Sequence, residues 1–120
     1  MNERIIKEAI RQAIRSSYRF RVGAVIYDGN YIISRGYNKP NKTHPRANTP
    51  YSTIHAEFDA ILKSQHYHTP GMLHNASIYV HRLWRTGQDG FAKPCQYCEV
   101  VLKQAGIKDI NYSYGPKRIL

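Results

Sequence analysis

A chain of 120 residues, 42% of them hydrophobic and 22% charged, can fill one core, which excludes both intrinsic disorder and a second domain. No apolar run is long enough to span a bilayer, and Met1-Asn2-Glu3-Arg4 lacks the apolar stretch of a secretory signal, so the expectation is one cytoplasmic domain over residues 1–120, with no membrane partner. Eighteen Lys and Arg against eight Asp and Glu leave a net charge of +10, concentrated in residues 1–50, which suits a polyanion, a phosphorylated ligand or simply a solubilising surface.

Residues 3–17 put Ile5, Ile6, Ala9, Ile10, Ala13 and Ile14 on one helical face, with Arg4, Lys7, Arg11 and Arg15 off it and Asn2 as the cap. That apolar side is expected to lie on a sheet. Residues 21–27 and 31–37 read as strands around Asp28-Gly29-Asn30, a hairpin turn, and Gly23 marks a bulge or a close approach. Residues 38–52, with Pro40, Pro45 and Pro50, form a long loop. Thr53 is expected to cap a helix over 54–64 that packs through Phe58, Ile61 and Leu62. His66, His68 and His74 follow in a connection broken by Pro70-Gly71. No helical face unites them, so they read as solvated loop rather than as a metal site.

Residues 77–83 read as a buried strand around Ile78, Tyr79 and Val80, and residues 84–93 as a second loop. Pro94 suits the first position of a helix running through Val101 and Leu102 to a stop at Gly106. Residues 107–113 form another strand. Gly115-Pro116 then turns the chain, and residues 117–120 can return as a short edge strand. This order of elements makes an α/β protein, a mixed sheet with helices on both faces.

Two helix starts carry the chemistry. One holds His55-Ala56-Glu57 and the other Pro94-Cys95-Gln96-Tyr97-Cys98. Residues three apart share a helix face, so both sulfurs can point one way and converge with His55 on one ion. One nitrogen and two sulfurs suit Zn2+, and three protein ligands leave a fourth position open, which is a catalytic arrangement. Helix N-termini there would favour the thiolates. Glu57, two residues beyond His55, is placed to move protons to and from a water activated by the metal, chemistry that suits hydrolytic loss of ammonia from an amidine-like carbon. A redox dithiol or a structural zinc knuckle explains the cysteine spacing alone. Neither explains the paired motifs with a strand between them.

With these motifs in place, the sequence resembles the cytidine deaminase-like superfamily. His55-Ala56-Glu57-Phe58-Asp59-Ala60-Ile61 resembles its first block. Pro94 to Cys98, followed by Val101-Leu102-Lys103-Gln104-Ala105-Gly106-Ile107-Lys108, resembles the second, as found in deoxycytidylate deaminases. The resemblance implies a three-layer α/β/α sandwich with sheet order 2-1-3-4-5, and the Gly115-Pro116 turn points to an antiparallel last strand, as in free-nucleoside cytidine deaminases. It also implies site roles: His55, Cys95 and Cys98 hold zinc, and Glu57 shuttles protons. Asn38 and the backbone of Ala56 contact the substrate, and Val22 and Gly23 belong to a hairpin that lines the pocket. Asn38 is equally a turn former at a strand end. Trp84, in the loop before the second block, is expected at the pocket rim.

These features predict deamination of a cytosine nucleotide or nucleoside, with dCMP first, by a chain that forms at least a homodimer. Arg19, Arg21, Lys39, Lys42 and Arg46 are candidate phosphate ligands. The alternatives are a deaminase acting on cytosine or adenine in single-stranded DNA or RNA, stacking bases on its tyrosines and Trp84, and a zinc-binding module without catalysis.

Overall fold

In the computed structural model, which describes residues 2–17, 20–40, 53–67 and 73–114, α1 (Glu3–Arg15) starts where the Asn2 side chain accepts the Arg4 N–H at 2.9 Å. The next two elements, β1 (Arg21–Asp28) and β2 (Tyr31–Tyr37), pair antiparallel with Ala24 opposite Gly36. Gly29, at φ 59°, supplies the left-handed turn residue that their hairpin needs. A second, two-stranded ladder joins β3 (Lys39–Pro40) to β4 (Thr53–Ile54). After it come α2 (Ala56–Tyr67), β5 (Ser77–Leu83), β6 (Asp89–Gly90), α3 (Gln96–Gln104) and β7 (Asp109–Tyr112).

The main sheet runs β2-β1-β5-β7. Along it β5 is antiparallel to β1 and parallel to β7, so the sheet is mixed. Counting only the strands expected from sequence, this order is 2-1-3-4; the expected fifth strand, 117–120, lies outside the described residues. One strand of this sheet was not foreseen. The segment read as a loop over 84–93 folds back, and β6 pairs antiparallel with Arg82 and Leu83 at the end of β5. Backbone bonds from Trp84 N to Gln88 O (2.8 Å) and from Gly87 N to Trp84 O (2.9 Å) close that turn.

Alternation along the strands builds three layers. Ala24, Ile26, Ile78 and Val80 face α2 and α3 and pack with Ala56, Ala60, Ile61 and Leu102. Val25 and Tyr79 face α1 and pack with Ile5 and Ala9. Ile26 and Ile78 are wholly buried, and each such side chain contributes about 1.5–3 kcal/mol. Two glycines let the helices touch sheet backbone. A Cβ at Gly23 would collide with Ala9 O and lie 2.5 Å from Ala13 N, and one at Gly36 would collide with Ala56 O and lie 2.5 Å from Ala60 N. The close approach anticipated at Gly23 is therefore made by α1.

Both site helices begin later than their sequences indicate. Thr53 and Ile54 are paired as strand, so Thr53 does not cap α2. His55 O instead accepts the first helical bond, from Asp59 N at 3.0 Å. Pro94 likewise precedes α3, whose cap is Cys95: its Sγ accepts the Cys98 N–H at 3.4 Å. Gly106, at φ 96°, ends α3 as expected. Among the described residues no helix is long and apolar enough to cross a membrane.

Candidate metal centre

Gly36 seats the first turn of α2 directly on the end of β2, and α3 packs in the same layer. Their N-termini converge. His55 Nδ1 lies 3.1 Å from Cys98 Sγ and 3.7 Å from Cys95 Sγ, and the three ligand atoms fall within 4.8 Å of one another. Tetrahedral zinc, at about 2.0–2.1 Å from nitrogen and 2.3 Å from sulfur, would set N···S near about 3.5 Å and S···S near about 3.8 Å. The spacing and the donor chemistry fit that ion. Cys98 is buried and Cys95 exposed, so the cluster opens on one side.

Burial pushes the Cys98 thiol up, and the neighbouring Glu57 and Cys95 charges push it further. Burial also lowers His55, keeping its imidazole neutral and available as a ligand. The Glu57 carboxyl is 5% exposed, and burial raises it to about 6 against the opposing hydrogen bonds from its own backbone and the Cys98 side chain. A divalent cation at this cluster would favour loss of the thiol protons and neutralise the charge that results.

The other expected site residues divide. Ala56 is fully buried at the first helical position, beside His55. Val22 packs on the α2/α3 side, whereas Gly23 faces α1 on the opposite side. Asn38 binds backbone with both ends of its amide: Oδ1 accepts from Val22 N (2.9 Å) and Nδ2 donates to Phe20 O (2.7 Å). In the structure it fastens the end of β2 to the start of β1. Trp84 lies against the Phe20 ring edge-on at 5.2 Å and beneath the Arg82 guanidinium at 4.9 Å. Arg21 donates to Trp84 O at 2.9 Å, and Lys39 pairs with Asp59 at 3.0 Å. Arg19, Lys42, Arg46, His68 and the Gly115-Pro116 turn lie outside the described residues.

Two contributors were missed from sequence. Asp59 is buried on α2, accepts the Tyr37 N–H at 3.1 Å and pairs with Lys39 and Lys63, which binds the end of β2 to the site helix. Its signal was an acidic residue at a core-facing helical position. Arg82 is the other, a charged residue next to last in β5, between His81 and Leu83.

Comparison with known proteins agrees with this geometry. The chain is similar to dCMP deaminase from cyanophage S-TIM5, solved in complex with dCMP and dUMP, with a TM-score of 0.62 and 19% identity over 93% of this chain and 82% of that one. It is also similar to guanine deaminase from Bacillus subtilis, with a TM-score of 0.59 and 24% identity over 95% of this chain and 65% of that one. The Thermotoga maritima diaminohydroxyphosphoribosylaminopyrimidine deaminase/reductase gives a TM-score of 0.57 and 25% identity over 92% of this chain but 28% of its own. No curated protein matches the sequence. The family model for the cytidine and deoxycytidylate deaminase zinc-binding region matches residues 1–114, nearly the whole chain, which therefore belongs to that family.

Proposed function

We propose that the protein is a zinc-dependent hydrolytic deaminase of a free cytosine nucleotide, with dCMP as its first substrate. Water adds its oxygen at C4 of the ring, the exocyclic amine leaves as ammonia, and the cytosine becomes uracil. The observation that carries this reading is the convergence of His55, Cys95 and Cys98 beside the buried Glu57. His55, Cys95 and Cys98 would hold a zinc ion, which would supply Lewis acidity toward the attacking water.

The chain's own groups do the rest. Glu57, raised to about 6 by burial, lies close enough to neutrality both to accept a proton from water and to deliver one to the departing amine. The first turn of α2 presents backbone N–H groups that no helical bond consumes, and Ala56 is the one proposed to meet the ring carbonyl. The relative solved with dCMP and dUMP supports a pyrimidine nucleotide as ligand. An ammonia-release screen of the zinc-loaded protein over dCMP, deoxycytidine, guanine and a cytosine-bearing oligonucleotide tests the assignment. The expected ranking places dCMP first. Turnover on the oligonucleotide alone would move the substrate to nucleic acid, and no ammonia from any of them would leave a non-catalytic zinc module.

A further inference from the structure

Unlike Arg11 and Arg35, Arg82 has no carboxylate partner among the described residues, and it shares with Arg21 a buried Nε without a hydrogen bond. Its guanidinium sits in the corner made by two aromatic rings, 4.4 Å over Phe20 and 4.9 Å over Trp84. Its Nε is buried and makes no hydrogen bond to any described residue. All eight Asp and Glu of the chain are among the described residues. Their ion pairs engage Lys7, Arg11, Arg35, Lys39, Lys63, His81 and Lys103. None engages Arg82. A half-buried guanidinium without a carboxylate keeps its forked edge available for an anion while the rings hold its plane.

Its place in the fold puts this edge near the chemistry. Arg82 follows Val80 by two residues and so shares the sheet face that α2 and α3 cover. It pairs with Val22, at the end of the sheet where Ala24 and Gly36 meet the start of α2. The foldback through β6 completes the corner. A Cβ at Gly90 would lie 2.8 Å from Trp84 Nε1 and 3.0 Å from Arg82 Cδ, so bare backbone at that position makes room for both side chains.

We infer that Arg82, held by Phe20 and Trp84, is the ligand for the phosphate monoester of the nucleotide substrate and sets the preference for nucleotide over nucleoside. The inference rests on the deaminase reading above. It also changes the part expected of Trp84, which supports the anion-binding arginine and does not offer that ring face to a base.

The test compares wild type with Arg82→Gln and the charge-preserving Arg82→Lys, after confirming fold by circular dichroism and zinc content. The kcat/KM ratio of dCMP over deoxycytidine should fall at least about tenfold in Arg82→Gln, through KM, and less in Arg82→Lys. Inorganic phosphate should compete with dCMP in wild type and cease to compete in Arg82→Gln. If the glutamine variant does not fold, the lysine variant carries the same ratio test. Equal losses on both substrates would mean that Arg82 only props the foldback, and would overturn the inference. Stronger competition by a cytosine-free oligonucleotide than by phosphate would overturn it in favour of a polynucleotide groove. Binding is also read without turnover, from the Arg82 side-chain NMR resonance on adding inorganic phosphate or dUMP. A shift without ammonia release sinks the deaminase reading and keeps the anion site. Ammonia release without a shift or a KM change sinks the anion site alone.

Discussion

His55 and His81 lie in opposite layers of the molecule, and their surroundings show what separates a site from a support. On the α1 side, the Tyr79 hydroxyl donates to His81 Nδ1 at 2.8 Å and His81 Nε2 donates to Asp89 at 2.7 Å. Burial, with the Asp89 charge adding to it, pushes Tyr79 up to about 12, so the phenol keeps the proton it donates. Both ring nitrogens are used, and the chain thereby fastens its own foldback to β5. On the α2/α3 side, His55 Nδ1 faces two sulfurs with a buried carboxyl close by. Sulfur is a weak hydrogen-bond partner, and a metal ion would engage the ring nitrogen and both sulfurs more strongly than they engage one another.

This contrast is open to experiment in several ways. The largest effect belongs to metal removal. Chelation, or Cys98→Ala, should take zinc from about one per chain to none and end ammonia release. It should also lower Tm, because a metal at a thousand times its Kd stabilises the folded state by about 4 kcal/mol. Asp89→Ala should leave zinc content as it was. Next come the two packed glycines. Gly23→Ala and Gly36→Ala each force a methyl into helix backbone and should cost about 1–3 kcal/mol in urea titrations. Only Gly36→Ala, which displaces the first turn of α2, should also weaken zinc binding.

A comparable effect is expected from Glu57 in metal-free protein. Its pKa is raised in the folded state from an ordinary 4.5 to about 6, so its burial costs nothing below pH 4.5 and costs progressively more as pH rises through 6. Metal-free Glu57→Gln should therefore exceed wild type by about 2 kcal/mol at pH 8, with the difference vanishing by pH 4. The smallest effect lies on the supporting side. Asp89→Asn should lose about 1 kcal/mol by loosening β6 and should leave zinc binding unaltered.

Much of this was legible in the chain. The apolar period of residues 3–15, the Asp28-Gly29 turn and the buried run Ile78-Tyr79-Val80 are local signals, and the elements formed where they indicated. The candidate metal ligands were legible for the same reason, since His-x-Glu and Cys-x-x-Cys both stand at helix starts. What was missed depends on distant partners. Thr53 is strand because residues 39–40 pair with it, and β6 exists because the end of β5 offers it an edge. Asn38 carried two readings, a substrate contact implied by the resemblance and a turn former at a strand end, whereas its bonds to Val22 and Phe20 tie two strand ends that are distant in sequence. Arg82 looked like any surface cation until the fold brought Phe20 and Trp84 to either side of it.

The central claim is that one cluster holds the metal while a neighbouring carboxyl moves the proton. It is tested most directly by measuring zinc per chain and ammonia release from dCMP on the same preparations of wild type and Glu57→Ala. The account predicts zinc near one per chain in both and turnover lower by about 10²–10⁴-fold in the variant. A Glu57→Ala protein that keeps its zinc and its full turnover would contradict it.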